Sequence, residues 1–86
     1  MDEAVMKKVQ IVVRFKNGVL DPQGKTVEHA LQALGFQEVD QVRIGRFIEM
    51  EVRENADGAD SRARVEEMCR KLLANPVIED FEILGE

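Results

Sequence analysis

Hydrophobic and polar residues alternate along the N-terminal part of the chain. From Val9 to Phe15 every second residue is apolar, and Val12 is the only apolar residue on the other side of the alternation. A period of two with β-branched residues predicts a strand over residues 8–16 that packs on one face. Asn17 and Gly18, which favour turns, end the strand.

A first helix is predicted directly after this strand. Asp21 is a favoured N-cap residue, and Pro22 fits the first helical position because its missing N–H has no partner there in any helix. Gly35 is the expected residue after the helix, where φ is often positive. The predicted buried stripe has helical spacing and consists of Val27, Ala30, Leu31 and Leu34.

The stretch from Val39 to Arg53 admits two interpretations. A hairpin turning on Gly45 and Arg46 would divide its apolar residues between two faces. One continuous strand places them on a single face, with Arg46 as the exception, and register is set by the buried face. We therefore predict one long strand, whose apolar face holds Val42, Ile44, Ile48, Met50 and Val52.

The predicted length of this strand indicates self-association. About fourteen residues at 3.3 Å each span roughly 45 Å, whereas a compact domain of this size is roughly 30 Å across. Gly45 could bend the strand, and its far half would pair with a second subunit. We expect a dimer.

A second helix and a final strand complete the chain. Asp60 or Ser61 is the expected N-cap, and Asn75 before Pro76 ends the helix because a residue preceding proline avoids the helical region. The predicted buried stripe of the helix is Val65, Met68, Cys69, Leu72 and Leu73. The last strand covers residues 77–84, with Val77, Phe81 and Ile83 in phase.

The order of elements predicts the fold class. A strand, a helix, a long bent strand, a helix and a strand give the βαββαβ order of a ferredoxin-like fold if the long strand counts twice. We expect an α+β domain over residues 1–86, with an antiparallel sheet, both helices on one face, and completion by dimerisation.

Composition and charge restrict the class of protein. Twelve Lys and Arg against 17 Asp and Glu give a net charge of −5, which disfavours nucleic acid as a partner. The sequence has no apolar run long enough for a membrane helix and no signal-peptide pattern at its start. One cysteine excludes an internal disulfide and fits a reducing cytosol. We expect a soluble cytoplasmic protein whose thin core is supplemented by association.

Few residues could carry chemistry. The only histidine, His29, lies on the polar side of the first helix, and Cys69 lies in the apolar stripe of the second, where cysteine behaves as a small hydrophobic residue. The acidic run Glu49, Glu51, Glu54, Asp57 and Asp60 is more simply a solvated edge than a metal site. We predict no catalytic residue, cofactor or metal on this chain. Arg43 and Arg46 could contact carboxylates of a partner or an anionic ligand, or keep the strand edge soluble.

Three segments resemble the PurS family, which provides the small subunit of multi-subunit phosphoribosylformylglycinamidine synthase. They are GVLDPQGKTVEHALQALGF at 18–36, VRIGRFIEMEV at 42–52 and EEMCRKLLANPVIEDFEI at 66–83, and together they cover more than half of the chain. The family commonly has proline before the glycine of the first segment, where this chain has Asn17.

The resemblance implies an assembly role. In this family a glutaminase subunit of the PurQ type releases ammonia, and a synthetase subunit of the PurL type uses ATP and Mg²⁺ to convert formylglycinamide ribonucleotide to its amidine. PurS is thought to hold the two together and to help shield the ammonia path. As contacts with these partners we predict Leu20, Asp21, Pro22, Arg43, Arg46, Met50 and Val52.

A second function remains open. Pairs of ferredoxin-like domains elsewhere bind amino acids at their dimer interfaces, so the chain could instead be a free-standing regulatory module that binds a small molecule. An independent enzyme is less well supported, because no catalytic arginine loop is evident.

Overall fold

The computed structural model describes residues 6–53 and 61–84. Its elements, in chain order, are strand β1 (Met6–Phe15), helix α1 (Pro22–Ala33), strand β2 (Arg46–Arg53), helix α2 (Ser61–Met68) continued by a π-helical turn (Cys69–Leu73), and strand β3 (Glu79–Ile83). Residues 55–60 of the predicted polar loop, which include the N-cap candidate Asp60, and the side chain of Ser61 lie outside the described residues.

The three strands form one antiparallel sheet in the order β2-β1-β3. The central residue Ile11 lies opposite Ile48 of β2 and Ile83 of β3, so the apolar positions of all three strands share one face. This agrees with the predicted α+β class and its antiparallel sheet. The described residues form three paired strands. The prediction allowed for four, because it counted the long strand twice.

The core lies between this face of the sheet and α2. The alternation predicted for β1 is confirmed, since Val9, Ile11 and Val13 are buried. Val65 and Cys69 of the second helical segment are buried against them. The half-buried residues that surround this cluster are Ile48, Met50, Val52, Leu73, Phe81 and Ile83.

Helix α1 has the predicted ends but not the predicted buried side. The N–H of Gly24 donates to the Asp21 carboxylate over 2.8 Å, as expected of an N-cap, and Gly35 has a φ of 105°. The predicted stripe is largely open: Leu34 is 74% exposed and Val27 37%. The buried residues of the helix are Gly24 and Glu28 instead.

Strand β2 is shorter than predicted. It begins at Arg46, and the preceding residues 40–45 are not paired in the sheet. No hairpin forms at Gly45, so the continuous interpretation is correct about the direction of the chain. It is wrong about the length of the strand, because the backbone N–H groups of Val42 and Ile44 are bonded to side chains of α1 and the preceding cap.

The C-terminal end of the second helix departs from α-helical spacing. The N–H of Ala74 donates to the carbonyl of Cys69, five residues earlier, which closes a π-turn. The extra residue turns Leu72 outward to 83% exposure, so its predicted burial is wrong. Val77 is likewise exposed and precedes β3, whereas Phe81 and Ile83 are in phase as predicted.

The single chain is elongated. Its principal extents are 58 × 25 × 15 Å and its radius of gyration is 17.5 Å, against roughly 12 Å for a compact domain of this length. No residue of α1 belongs to the buried core cluster. The chain on its own therefore leaves one of its two main helices outside the core.

Candidate functional site

The predicted partner residues at the start of α1 surround the carboxylate of Asp21. One of its oxygens accepts the N–H of Gly24 at 2.8 Å, and the other accepts the N–H of Ile44 at 2.7 Å. These two bonds, in that order, hold the pKa of Asp21 below its ordinary value, and the charge of Arg43 adds to the effect. Asp21 is buried, and its two hydrogen bonds join the start of α1 to the segment that leads into β2.

A second carboxylate, Glu28, continues this connection about two helical turns further along α1. An oxygen of Glu28 accepts the N–H of Val42 at 3.3 Å, and Glu28 is buried. Between the two acids, Gly24 lies against the backbone of Val42, and a Cβ atom at Gly24 would overlap the Val42 carbonyl oxygen. The family-like segment at 18–36 therefore holds the backbone of residues 42–44.

Arg43 lies beside this connection, on the segment that leads into β2, and contacts the loop that leads into α1. Its guanidinium donates to the carbonyl of Phe15 and, over 3.3 Å, to the side-chain oxygen of Asn17. Residues 16–21 and 41–43 enclose an open cavity of about 250 Å³ that also contacts Lys25 and Glu28. Asn17 thus supplies an acceptor for Arg43.

Leu20 and Pro22 are the exposed members of the predicted interface at this end of the molecule. Leu20 is 69% exposed. Pro22 borders a second open cavity, of about 370 Å³, together with Val27 and Ile44. This cavity has a mainly apolar lining and lies along the exposed side of α1.

Arg46 makes its contacts within the chain. Its guanidinium donates through both terminal nitrogens to the carboxylate of Glu79, at 3.1 and 3.2 Å, and to the carbonyl of Leu73 at 2.8 Å. Glu79 also accepts the N–H of Asn75 at 2.7 Å, and that bond, followed by those from Arg46, holds its pKa below the ordinary value. Arg46 therefore fastens the start of β2 to the end of the π-turn and the start of β3.

Met50 and Val52 lie elsewhere. Both are half-buried on the core side of β2, opposite Val9 and Lys7 of β1. The predicted interface therefore divides into the α1 start with Arg43, the internal ion pair of Arg46, and the apolar side of β2.

Three arginines and an aromatic ring surround a further cavity of about 400 Å³. Arg14, Arg43, Arg46 and Phe47 line it with Val12 and Gly45. Arg14 donates to Glu82 at 3.1 Å, so each of the three guanidinium groups already has an acceptor within the chain. The cavity is a charged depression whose arginines are largely engaged.

The residues that could carry chemistry are dispersed. His29 is exposed on α1, whereas Cys69 is buried, and burial raises the pKa of its thiol. Among residues 6–53 and 61–84, no group of three or more His, Cys, Asp or Glu side chains is placed to hold a metal ion. In the same residues, no helix has both the length and the apolarity needed to cross a bilayer.

Sequence reasoning missed several exposed apolar residues. Phe36, Phe47, Leu72 and Val77 are all at least 48% exposed. The π-turn that exposes Leu72 has no signal in the hydrophobic pattern.

Comparison with known proteins identifies the family. The family model for PurS, phosphoribosylformylglycinamidine (FGAM) synthase, matches residues 8–86. The PurS subunit of Methanocaldococcus jannaschii is 44% identical over 81 residues, which are 94% of this chain and 96% of that protein. The Bacillus subtilis PurS subunit is 47% identical over 76 residues, 88% of each chain.

Solved structures give the same result. The structure of Bacillus subtilis PurS superimposes with a TM-score of 0.83 at 44% identity, covering 93% of this chain and 96% of that one. A chain in the structure of PurLQS from Thermotoga maritima matches with a TM-score of 0.80 at 34% identity, covering 95% and 99%. These likenesses agree with the predicted ferredoxin-like arrangement. The chain belongs to the PurS family.

Proposed function

We propose that this chain is the non-catalytic assembly subunit of FGAM synthase. In this role it joins an ATP-dependent synthetase subunit of the PurL type to a glutaminase subunit of the PurQ type in de novo purine biosynthesis. The observation that carries the proposal is the near full-length match to a chain in the PurLQS structure from Thermotoga maritima. The dispersal of its histidine, cysteine and acidic side chains fits a subunit that holds catalytic partners together.

Self-association is part of the proposed role. The elongated chain, with Leu34 at 74% exposure and α1 outside the core, leaves apolar surface that a second copy would cover. For a domain of this length, additional buried surface also offsets the small size of its own core. We therefore propose a single domain over residues 1–86 that works as a dimer or higher oligomer.

The proposed partner surface follows from the positions of the predicted residues. Leu20, Pro22 and Arg43 are exposed at one end of the molecule and are proposed as direct contacts. Asp21 and Arg46 are proposed to act indirectly, because they hydrogen-bond to the backbone of Ile44 and Leu73. Met50 and Val52 are proposed to hold β2 in place through their packing against the core. The proposed assembly takes ATP and Mg²⁺ on its synthetase subunit, and we place it in the cytoplasm.

Light scattering on size-exclusion fractions tests the proposal. The chain is run alone, with each catalytic partner, and with both, in the presence and absence of glutamine. Co-elution with both partners, and glutamine-dependent FGAM synthesis only when all three are present, is the expected result. Absence of any mixed complex, together with a change of melting temperature on adding an amino acid, would favour the regulatory-module alternative.

A further inference from the structure

Helix α1 is attached to the rest of the chain through its polar side. Asp21 and Glu28 accept the N–H groups of Ile44 and Val42, which are alternate residues of one extended segment. Alternate N–H groups on one edge are those that a neighbouring strand would bond. The carboxylates of Asp21 and Glu28 thus accept the hydrogen bonds that the carbonyl groups of a neighbouring strand would otherwise accept.

Helix α1 and the backbone of Val42 approach each other so closely that a residue with a Cβ atom would not fit between them. Gly24 lies between the two acids, and the backbone of Val42 occupies the place that its Cβ would fill. Gly24 is in the first turn of a helix, where alanine has the higher helix propensity. Gly24 therefore allows the two backbones to approach each other, although glycine lowers the intrinsic stability of the helix.

The apolar residues of α1 point to a different side. With 100° of rotation per residue, Asp21 and Glu28 lie about 40–60° to one side of Gly24. Val27 and Leu34 lie about 60–80° to the other side, and both are classed as exposed. An amphipathic helix usually buries its apolar side against its own chain. Here the polar side is attached, and the apolar side is held outward.

We infer that Asp21, Gly24 and Glu28 are positioning residues for self-association, which fix α1 on residues 42–44 so that its apolar side is presented in one orientation to a second copy of this chain. This inference rests on the proposed assembly function for its consequence, but the attachment itself can be measured without any partner. In it, Asp21 has a role beyond capping, because one carboxylate oxygen serves the helix and the other serves Ile44.

Hydrogen exchange in the full-length, isotopically labelled chain tests the attachment. Asp21→Ser keeps a capping oxygen for Gly24, but its single short hydroxyl does not also serve Ile44. Gly24→Ala forces the two backbones apart. His29→Ala, on the exposed side of the same helix, is the matched control. The core is monitored in every variant by the reaction of the buried Cys69 thiol with a disulfide reagent.

In the unaltered chain and in His29→Ala, we expect the amides of Val42 and Ile44 to be protected. In Asp21→Ser and Gly24→Ala, their exchange should be at least tenfold faster while the Cys69 thiol stays slow to react. The same two variants should lose self-association, read by light scattering as a smaller molar mass than that of the unaltered chain, and Glu28→Ala should release the Val42 amide.

Three results would overturn the inference. If Asp21→Ser exchanges like the unaltered chain, Asp21 is a cap only. If Gly24→Ala leaves both amides protected, the close approach is not what positions α1. Loss of thiol protection in either variant would mean that the core depends on these residues, which contradicts a role confined to α1. Protected amides in a chain that never joins either partner would leave the attachment standing and refute the proposed function instead.

Discussion

Glu79→Gln is predicted to destabilise the chain far more than the equivalent change three residues later. Glu79 is 9% exposed, and its carboxylate accepts three hydrogen bonds, one from the backbone of Asn75 and two from Arg46. Glutamine has the same shape but one acceptor oxygen, and its NH₂ group would face the donors of Arg46.

The magnitude follows from these contacts. Hydrogen bonds to charged groups contribute about 1.5–3 kcal/mol each, and a buried donor left without an acceptor costs a similar amount. Since the Arg46 side chain is 53% exposed, its ion pair is screened and adds less than about 1 kcal/mol. Glutamine retains one acceptor, so we expect a net loss of about 2 kcal/mol in the free energy of unfolding.

Glu82→Gln is the matched control. Glu82 lies on the same strand and also pairs with an arginine, but its side chain is 59% exposed and that of Arg14 is 48% exposed. A pair of this kind contributes about 0.2–1 kcal/mol. Urea denaturation of both variants at one fixed protein concentration measures the difference, because association makes the apparent stability concentration-dependent. Equal losses in the two variants would refute the reasoning.

The stability difference between the unaltered chain and Glu79→Gln is predicted to depend on pH. The pKa of folded Glu79 lies below the ordinary value of 4.5. The stability that this carboxylate contributes is therefore fully present above about pH 4.5 and is lost as the pH falls through the folded pKa. The difference between the unaltered chain and Glu79→Gln should be constant near neutrality and shrink on acidification below pH 4.5. A difference that stays constant through that range would contradict the assignment.

Three further results are expected. Met50→Glu places a charge on the core side of β2, where Met50 is half-buried opposite Val9. It should lower the free energy of unfolding by about 2 kcal/mol or more and weaken self-association, as measured by light scattering. An unchanged mass and melting temperature would contradict the face assignment. Ile11→Ala removes a fully buried side chain and should lower the free energy of unfolding by about 2–5 kcal/mol in urea; a loss below 1 kcal/mol would show that the site is not in the core. The Cys69 thiol, whose pKa is raised by burial, should react with iodoacetamide about a hundredfold more slowly in the native chain than in urea, and comparable rates would refute its burial.

The first half of the fold illustrates how far periodicity reaches. The alternation from Val9 to Phe15 predicted β1 and its buried side because the strand pairs on both edges and packs on one face. For α1, the cap at Asp21 and the stop at Gly35 are local signals, and both were predicted correctly. The side on which α1 packs was predicted incorrectly. The spacing of Val27 and Leu34 indicates that one face of the helix is apolar, but it does not indicate whether this chain or another covers that face.

The remaining differences have non-local causes. Val42 and Ile44 have strand-like alternation, yet their N–H groups are bonded to Glu28 and Asp21, which are distant in sequence. Leu72 has the spacing of a buried residue, but one π-turn at Cys69 shifts it outward. Neither event changes the hydrophobic pattern, so the pattern could not reveal it.

The arrangement around the predicted partner residues follows from the sequence only in part. Arg43, Leu20 and Pro22 do come together at the start of α1, because the family-like segments at 18–36 and 42–52 meet there. Arg46 is predicted to contact a partner, and the contact that it makes within the chain, with Glu79, joins residues 33 positions apart that no local pattern connects. The role of Gly24 depends on a close approach of two backbones, which a sequence does not display.

The most direct test of the account is the molar mass of the chain mixed with its two proposed partners. Light scattering should show a self-associated species for the chain alone and one larger complex that contains the synthetase and glutaminase subunits. FGAM synthesis from glutamine should appear with that complex and disappear when this chain is omitted. A chain that elutes unchanged beside both partners, while they make FGAM from glutamine without it, would contradict the assembly role.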